Sequence, residues 1–445
     1  MIDLAKLAIQ APEILLPRPD IDLAKWAVIA CDQYTSEPEY WQEVDRLVGD
    51  APSTLRLTFP EVYLEEADAE ARIAAINCSM DAYLADGLLA AQPAGFVLLD
   101  RKTAHAPSRK GLMVALDLEQ YDYRPGSKTL IRATEGTIVD RLPPRIRVRQ
   151  NASIELPHIM VLIDDPERTV IEPLFAEQLP ELYDVELMQN GGRLRGWQVA
   201  EPRLLAQVGE ALARLAEPER FRQRYAVDDQ EVMLYAMGDG NHSFATAKAI
   251  WEQLKAEAAD PAAIMDHPAR YALVELVNLH DPGLEFEAIH RVLFDVDPTD
   301  LLSAADRFFA AAGTPCRFQT MPDQARAEAT AEAALGHAIP LSTAAGWGLL
   351  SVDQPNLTLV VATLQSFLDD YLGQRPTTRI DYIHGAETVS RLGQRPASVG
   401  FLLPAISKHD LFRTIVRDGA LPRKTFSMGE ADEKRFYLEA RKIVR

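Results

Sequence analysis

The sequence predicts a mixed α/β (α+β) fold, on two observations. Short apolar runs typical of buried strands alternate with longer amphipathic stretches typical of helices along most of the 445 residues. Hydrophobic residues make up 47% of the chain and charged residues 25%, which is the balance of an ordinary globular protein. The chain is therefore expected to pack helices and strands around hydrophobic cores.

Each predicted element rests on its own local pattern. Spaced apolar residues with closing turn residues predict helices, and apolar runs that end in polar residues predict strands. The predicted helices are 38–47, 64–90 and 201–225, with others flanking a strand in the alanine-rich segment 300–370. The predicted strands are 26–30, 95–99, 112–118, 159–163, 232–237 and 358–362, with a turn at 121–127.

The length exceeds that of one ordinary core, so we expect two or three domains or one large interwoven unit. We divide the chain into an N-terminal α/β region, a central region that contains an arginine segment and a glycine turn, and a C-terminal α/β region. These regions are 1–125, 126–300 and 301–445.

Charge and composition narrow the classes of function. The formal net charge is -20, which disfavours a general nucleic-acid binder because such a protein presents a positive surface. No apolar run approaches the roughly 18 residues of a membrane span, and the start lacks the features of a signal peptide. Cys31, Cys78 and Cys316 form neither a disulfide framework nor a metal-binding pair. We expect a cytoplasmic protein with a small-molecule partner.

The clearest functional signal is the junction between the apolar run Val232–Met237 and the amphipathic stretch after Ser243. Gly238 and Gly240 permit a positive φ or a close approach of the backbone to a ligand. Asn241 or Ser243 can cap the helix that follows. The junction therefore predicts a strand, a glycine turn and a helix.

This junction also predicts an anion site with acid–base groups. The N–H groups at the start of a helix, together with the helix dipole, favour a phosphate. The residues placed to hold it are Gly238, Gly240, Asn241, His242 and Ser243. Asp239 and His242 add a carboxylate and an imidazole for catalysis. The plain structural alternative is a tight turn before a capped helix.

Standard nucleotide and hydrolase motifs do not fit the junction. It lacks the third glycine of a dinucleotide fingerprint, and the chain contains no GxxxxGK[ST] sequence. Ser243 is not in a GxSxG elbow. The run Gly240–His242 is similar to the GNH[DE] element of metallophosphoesterases, but Ser243 replaces its acid and the partner DxH and GHxH elements are missing.

Two basic segments are predicted to supply charge for a phosphate. Arg145, Arg147 and Arg149 alternate, which predicts one face of a strand. Because arginine forks bind phosphate oxygens, Arg141 and Arg145 are predicted to neutralise the phosphate, with pairing to this chain's acids as the alternative. The basic turn containing Arg423 and Lys424 is predicted to close over a phosphate, with a surface turn as the alternative.

Carboxylates and polar residues elsewhere predict the remaining roles. Glu135 is a second candidate base beside Asp239, with a cap or salt bridge as the alternative. Asp164 and Asp165 follow a buried strand and are predicted to hold Mg²⁺, although Asp-Asp-Pro is also an ordinary turn. The residues predicted to bind a small polar substrate, or else to form a capped helix entry, are Asp32, Gln33, Tyr34 and Thr35.

Several stretches, in order and nearly end to end, resemble a bacterial branch of the domain-of-unknown-function family 1015. They are "WAVIACDQYTSEPEYW" (Trp26–Trp41), "RATEGTIVDRLPPRIRVR" (Arg132–Arg149), "ELPHIMVLIDDP" (Glu155–Pro166), "MGDGNHSFATAKA" (Met237–Ala249), "HPARYALVELVNLHD" (His267–Asp281), "FEAIHRVLF" (Phe286–Phe294) and "LPRKTFSMGEADEKRFYLEARKI" (Leu421–Ile443).

A weaker resemblance adds chemistry to the glycine turn. Many members of that family have Asp-Gly-His-His-Arg at positions 239–243, which is similar to the turn of the ParB/sulfiredoxin superfamily, whose nucleotide-using members include the free serine kinases. This implies a central ParB/sulfiredoxin-like strand–glycine turn–helix unit within a larger interwoven chain, with nucleotide phosphates at the turn. Here Asn241 replaces the first histidine and Ser243 replaces the arginine, so the charge for a phosphate must come from elsewhere.

The residues and the resemblance together predict a nucleotide-dependent phosphotransferase, a small-molecule kinase that uses ATP or ADP and Mg²⁺. Free serine is the first candidate substrate, and both the kinase activity and the link to serine metabolism come mostly from the resemblance. A phosphate-ester hydrolase and a non-catalytic nucleotide sensor are the alternatives.

Overall fold

A computed structural model of the chain describes residues 3–35, 37–64, 66–124, 126–137, 142–228 and 230–445. It confirms the predicted mixed α/β fold. Among these residues, no helix combines the length and the apolar character needed to cross a membrane.

The α-helices are α1 Leu23–Trp26, α2 Pro38–Val48, α3 Ala69–Ala85, α4 Leu142–Arg149, α5 Pro202–Leu215, α6 Pro218–Tyr225, α7 Asn241–Glu257, α8 Pro298–Ala311, α9 Gln324–Glu332, α10 Val360–Gly373, α11 Ala386–Gly393 and α12 Lys408–Asp418. Short 3-10 helices connect other elements at Leu4–Leu7, Thr54–Arg56, Glu61–Tyr63, Leu118–Gln120, Glu172–Ala176, Pro261–Ile264, Pro268–Arg270 and Ala431–Glu433.

The β-strands are β1 Ile9–Gln10, β2 Leu15–Pro17, β3 Leu89–Ala91, β4 Phe96–Lys102, β5 Arg109–Asp117, β6 Tyr121–Asp122, β7 Ile131–Arg132, β8 Ile154–Glu155, β9 Met160–Ile163, β10 Glu181–Leu187, β11 Gly192–Val199, β12 Tyr235–Asp239, β13 Tyr271–Asn278, β14 Phe286–Phe294, β15 Cys316–Met321, β16 His337–Thr343, β17 Gly346–Val352, β18 Arg379–His384, β19 Ser398–Phe401, β20 Phe426–Met428 and β21 Arg441–Lys442.

The chain divides into two units, the first formed by Met1–Glu285 with Gly429–Arg445 and the second by Phe286–Met428. The predicted borders at 125/126 and 300/301 fall inside these units. The reason lies in strand pairing: β5, before the first predicted border, pairs with β13, and β14, before the second, pairs with β18 and β19.

The first unit is built on one mixed sheet with the strand order β10-β11-β4-β5-β13-β9-β12-β7-β6, and β1 pairs with β5. In the series β10-β11-β4-β5-β13, each strand is antiparallel to the next. Strand β9 runs parallel to β13, and β7 runs parallel to β12. Because β7 and β12 are parallel, their carboxyl ends meet at one edge of the sheet. The pairs β2–β3 and β8–β21 form two small separate sheets.

Both faces of the main sheet are buried. Successive side chains of a strand point to opposite faces, and those of β4 enter two different cores. On β4, Phe96 and Leu98 belong to one core, which also contains residues of α5 and α7. Val97 and Leu99 belong to the other core, which contains residues of α2, α3 and the C-terminal segment. The candidate functional site lies where the C-terminal segment and α7 meet the edge of this sheet.

The second unit has an antiparallel sheet with the order β15-β17-β16-β19-β14-β18, and β20 pairs with β14. Leu293 and Leu341 belong to a core that includes Phe367 and Leu368 of α10. A smaller cluster around Val292 and Val389 packs elsewhere in this unit.

Two predicted strands are wrong. The run 358–362 enters α10, which is buried along most of its length, and a buried helix and a buried strand give the same continuous apolar run. The run 26–30 begins as the last residue of α1 and continues as extended chain, with one bridge from Ile29 to Phe436.

Buried ion pairs join the C-terminal segment to the main sheet. Arg435 is 4% exposed; its guanidinium lies 2.6 Å from Oε2 of Glu275, donates to Glu439, and donates to the carbonyl of Pro157 at 2.9 Å. Burial acts to raise the pKa of Glu275, but Arg435 and its arginine neighbours outweigh burial, so this pKa is lowered. Glu275 is therefore held as a carboxylate, and its ion pair with Arg435 joins two charged side chains.

We predict that Arg435→Met destabilises the first unit by about 3–5 kcal/mol, because removing Arg435 leaves Glu439 buried without its cation and leaves Glu275 with the more distant Arg109. Urea unfolding followed by tryptophan fluorescence measures this, since four of the five tryptophans lie in the first unit. Arg203→Met is the matched control, because Arg203 pairs with Glu177 on the surface and its loss should leave the midpoint nearly unchanged. Equal effects of the two substitutions would contradict a structural role for the buried pair.

Candidate functional site

The predicted strand, glycine turn and helix are confirmed. Strand β12 ends at Asp239, Gly240 has φ 77° and ψ 27°, and α7 begins at Asn241. The register of β12 against β9 shifts between Met237 and Asp239, so Gly238 lies in a β-bulge. The predicted cap is wrong: the N-cap residue is Gly240, which has no side chain to accept the N–H groups of the first helical turn.

Ser243 instead belongs to a chain of side-chain hydrogen bonds. Its Oγ lies 2.8 Å from Nε2 of His158, and Nδ1 of His158 lies 2.7 Å from the hydroxyl of Tyr437. The backbone N–H of Cys31 donates to the same Tyr437 hydroxyl at 3.1 Å. Segments that are 85 and 279 residues apart therefore meet at the start of α7.

The network assigns a direction to these hydrogen bonds. Burial raises the pKa of Tyr437 well above its usual value, so the phenol keeps its proton. We assign the phenol proton to the hydrogen bond with Nδ1 of His158, while the phenol oxygen accepts the N–H of Cys31. With this assignment the ring proton is on Nε2 and is donated to Ser243, which leaves the Ser243 hydroxyl proton available to a ligand.

Lys434 supplies a positive charge beside the turn. Its Nζ lies 3.1 Å from Oδ2 of Asp239, and Oδ1 of Asp239 accepts the N–H of Gly240 at 2.8 Å. Burial acts to raise the pKa of Asp239, but Lys434 and the Gly240 N–H lower it more, so the net direction is downward. Asp239 is therefore held as a carboxylate, which makes it a weak proton acceptor.

A cavity of about 130 Å³ adjoins the start of α7 within the first unit. Its lining includes Ser243 and Thr246 of α7, together with His158 and Tyr437. Most of the other lining residues are apolar and belong to the core beneath α3. The cavity and the first turn of α7 therefore share the Ser243 side chain.

The predicted arginine strand is wrong, because residues Leu142–Arg149 form α4. Prolines are tolerated in the first turn of a helix, and the helical period places residues four apart on one side. Arg145 and Arg149 accordingly line the cavity, whereas Arg147 pairs with an exposed glutamate at 3.3 Å. Helix α4 packs against α7.

Arg145 is paired with a carboxylate in the cavity wall. Its guanidinium lies 2.5 Å from Glu61, and both side chains are about one-fifth exposed or less. Burial raises the pKa of Glu61, an effect that Arg145 offsets only in part. Glu61 is therefore a better proton acceptor than an ordinary surface glutamate, and it lines the same cavity as Ser243.

Glu135 follows β7, whose carboxyl end lies at the same sheet edge as Asp239 because β7 and β12 are parallel. Two polar atoms nearby, Oγ1 of the buried Thr134 and Oδ1 of Asn241, have no hydrogen-bond partner in the described structure. His242 is the second residue of α7 and its carbonyl accepts from Thr246.

The predicted substrate residues separate into two groups. Oδ2 of Asp32 lies 3.9 Å from Nε2 of His158 and is therefore beside the site. Gln33 donates to Asp32 at 3.0 Å, and the Tyr34 ring stacks on another tyrosine at 3.8 Å, both of which are local packing contacts. Thr35 is exposed.

The predicted metal residues lie away from the turn. Met160 at the start of β9 is opposite Asp239, and Asp164 follows the other end of β9, about 13 Å away at roughly 3.3 Å per residue. Asp164 is bonded to His280 at 2.6 Å, and Asp165 accepts the N–H of Val170 at 2.9 Å. In the described ranges, no three His, Cys, Asp or Glu side chains are grouped as metal ligands. Asp164 and Asp165 do not form one site with the glycine turn, since the acids and the turn lie at opposite ends of β9.

The remaining predicted phosphate ligands are Arg141, Arg423 and Lys424. Arg141 lies outside the described residues. Arg423 and Lys424 belong to the second unit, where Arg423 donates to Tyr382 at 3.2 Å. Their assignment to the phosphate stays a prediction.

Sequence reasoning missed His158, Lys434, Tyr437 and Glu61. The first three lie in the stretches 155–166 and 421–443, which carry the family resemblance. An isolated histidine before a buried strand could have been noted, but its partner across 279 residues could not.

We predict that Gly240→Ala destabilises the first unit more than Gly87→Ala, although both glycines have a positive φ. At Gly87, a new Cβ meets nothing within 4 Å, so only backbone strain of about 1–2 kcal/mol is expected. At Gly240, the Cβ would lie 3.0 Å from Cα of Ile159, which adds overpacking of about 1–3 kcal/mol. Unfolding in urea gives both values, and equal losses would show that the turn tolerates a side chain.

The chain is similar to several solved structures at low identity. A mutant free serine kinase in complex with ADP is 10% identical, with a TM-score of 0.41 and coverage of 78% of this chain and 95% of that chain. A conserved hypothetical protein from Pyrococcus furiosus is 12% identical, with a TM-score of 0.37 and coverage of 75% and 95%. SbnI with a C-terminal truncation, from Staphylococcus aureus, is 10% identical, with a TM-score of 0.36 and coverage of 71% and 82%.

No curated protein matches the chain. One family model does, over residues 15–371, and its description is "Protein of unknown function (DUF1015)". The match spans the main sheet, the glycine turn and much of the second unit. The chain is therefore a member of the DUF1015 family.

Proposed function

We propose that this protein is a phosphotransferase that binds nucleotide phosphates at the start of α7 and transfers a phosphoryl group to a hydroxyl in the adjoining cavity. One observation carries the proposal: Ser243 lies in the first turn of α7 and also lines the cavity. A phosphate at the helix start and a molecule in the cavity would therefore be neighbours.

The start of α7 has the features of an anion site. The N-cap glycine provides no side-chain acceptor, so N–H groups and the positive end of the helix dipole face outward. The Ser243 hydroxyl, oriented through His158 and Tyr437, adds a donor. Lys434 offsets the charge of Asp239, which would otherwise repel a phosphate.

The cavity wall provides a proton acceptor for an acceptor hydroxyl. As the hydroxyl oxygen bonds to the terminal phosphorus, the bond from that phosphorus to the bridging oxygen of the nucleotide breaks, and the hydroxyl proton goes to Glu61. Its raised pKa and its place in the cavity make Glu61 a stronger candidate base than Asp239. Positioning and charge neutralisation supply most of the rate in phosphoryl transfer.

ATP or ADP is the proposed donor. Mg²⁺ would be held mainly by phosphate oxygens, as is usual for this ion, because Asp164 and Asp165 lie at the other end of β9. Free serine is the acceptor that the sequence resemblance implies, and it is one of the hydroxylated metabolites to test.

Phosphorus-31 NMR tests the reaction with the full chain, Mg²⁺, ATP or ADP, and a pool of hydroxylated metabolites. A new phosphomonoester is the expected product. Release of phosphate from phosphoserine would replace the proposal with a hydrolase, and saturable nucleotide binding without any product would replace it with a nucleotide sensor.

We predict that Ser243→Ala weakens ADP binding about ten- to hundredfold, the equivalent of one hydrogen bond to a charged group. Isothermal titration calorimetry measures the affinity. Ser303→Ala is the matched control, because Ser303 is exposed and its hydroxyl donates within its own helix, to the carbonyl of Thr299 at 2.8 Å. Unchanged binding in Ser243→Ala would remove Ser243 from the phosphate site.

We predict that Glu61→Gln lowers the transfer rate at saturating nucleotide by about 10²–10⁴-fold. Because burial raises the pKa of Glu61, the wild-type rate should rise with pH through a midpoint above the usual glutamate value, and this limb should vanish in the variant. Glu70→Gln is the control, since Glu70 pairs with Arg147 at the surface. A wild-type pH profile retained in Glu61→Gln would assign the base elsewhere.

A further inference from the structure

The cavity beside Ser243 is lined mainly by apolar side chains. They come from the segment before α3, from α3 itself, from α4, from β8 and from β13, and include Leu57, Ile76, Met80, Val148, Ile154 and Leu273. Five of these six side chains are less than 7% exposed, and Leu273 is fully buried. Such a wall favours the apolar part of a ligand.

The charged groups in the lining are already engaged within the protein. Arg145 pairs with Glu61 at 2.5 Å, and Arg149 pairs with Glu155 at 2.5 Å. A ligand with a compact ammonium and carboxylate, such as free serine, would have to be desolvated and to compete with these pairs. An apolar group would fill the cavity without disturbing them.

The size of the cavity limits the apolar group. Its volume is about 130 Å³, and an engineered protein cavity of about 150 Å³ binds benzene. The space therefore suits a six-membered ring or a branched chain of similar bulk. Ser243 and His158 are polar residues of the same lining.

We infer that the molecule bound in this cavity carries a ring-sized apolar group next to its hydroxyl. The statement that this molecule accepts a phosphoryl group rests on the proposed function. The statement that it binds in the cavity does not. The substrate class is then an amphipathic alcohol, and free serine is a poor fit.

Ligand-observed NMR titration of the wild-type chain tests binding in the absence of nucleotide. The probes are benzyl alcohol, cyclohexylmethanol, ethanol and serine. Burial of a ring-sized apolar surface predicts that the two ring alcohols bind at least about tenfold more tightly than ethanol. Equal affinities of the wild-type chain for all four probes would overturn the inference.

Filling the cavity locates the bound ring. Ala152 is 6% exposed and lines the cavity, so Ala152→Leu should weaken benzyl alcohol binding by about tenfold or more, as overfilling a packed site predicts. Ala74→Leu, on the exposed face of α3, is the control and should leave binding unchanged. Should circular dichroism show Ala152→Leu to be unfolded, Val148→Phe on α4 fills the same space. Undiminished binding in a folded cavity-filling variant would overturn the inference.

The phosphorus-31 assay separates this inference from the proposed function. Benzyl phosphate as a product supports both. Ring alcohols that bind in the cavity but are never phosphorylated support the inference and contradict the phosphotransferase. Phosphoserine formed by a protein that does not bind ring alcohols supports the phosphotransferase and overturns the inference.

Discussion

The buried ion pairs of Arg435 fix the C-terminal segment against the main sheet of the first unit, and the candidate site depends on that placement. A buried guanidinium is tolerated only with its carboxylates, here Glu275 and Glu439, so the position of Arg435 is closely defined. Lys434 precedes it and Tyr437 follows two residues later. Their contacts with Asp239 and His158 are therefore set by an electrostatic constraint outside the site.

Residues outside the glycine turn supply the positive charge and the hydrogen-bond donor that a phosphate at this turn would need. A helix start with a carboxylate at residue 239 and no arginine is a poor phosphate site on its own. Lys434 offsets that carboxylate, and the chain from Tyr437 through His158 turns Ser243 toward donation. The positive character of the turn thus comes from the C-terminal segment and the helix dipole, whereas Arg145 pairs with Glu61.

Structural features that depend on neighbouring residues could be predicted from the sequence, whereas features that depend on distant residues could not. The glycine turn was predictable because an apolar strand, a glycine and a helical stripe are adjacent in the chain. The arginine segment was misread, since alternation predicts a strand and nothing in that pattern shows that Pro143 and Pro144 begin a helix. The partners of His158 could not be predicted, because they depend on tertiary packing across 85 and 279 residues.

Arg145 and Glu61 connect the two halves of the proposed site. In the structure, Arg145 is the cation that partly offsets the effect of burial on the pKa of Glu61. A phosphate that attracted the Arg145 guanidinium would weaken this pair, and the pKa of Glu61 would rise further because burial would be less opposed. Binding of an anion at the start of α7 would then make Glu61 a stronger proton acceptor in the cavity. An ion pair that looks structural could in this way couple arrival of the phosphate to activation of the hydroxyl.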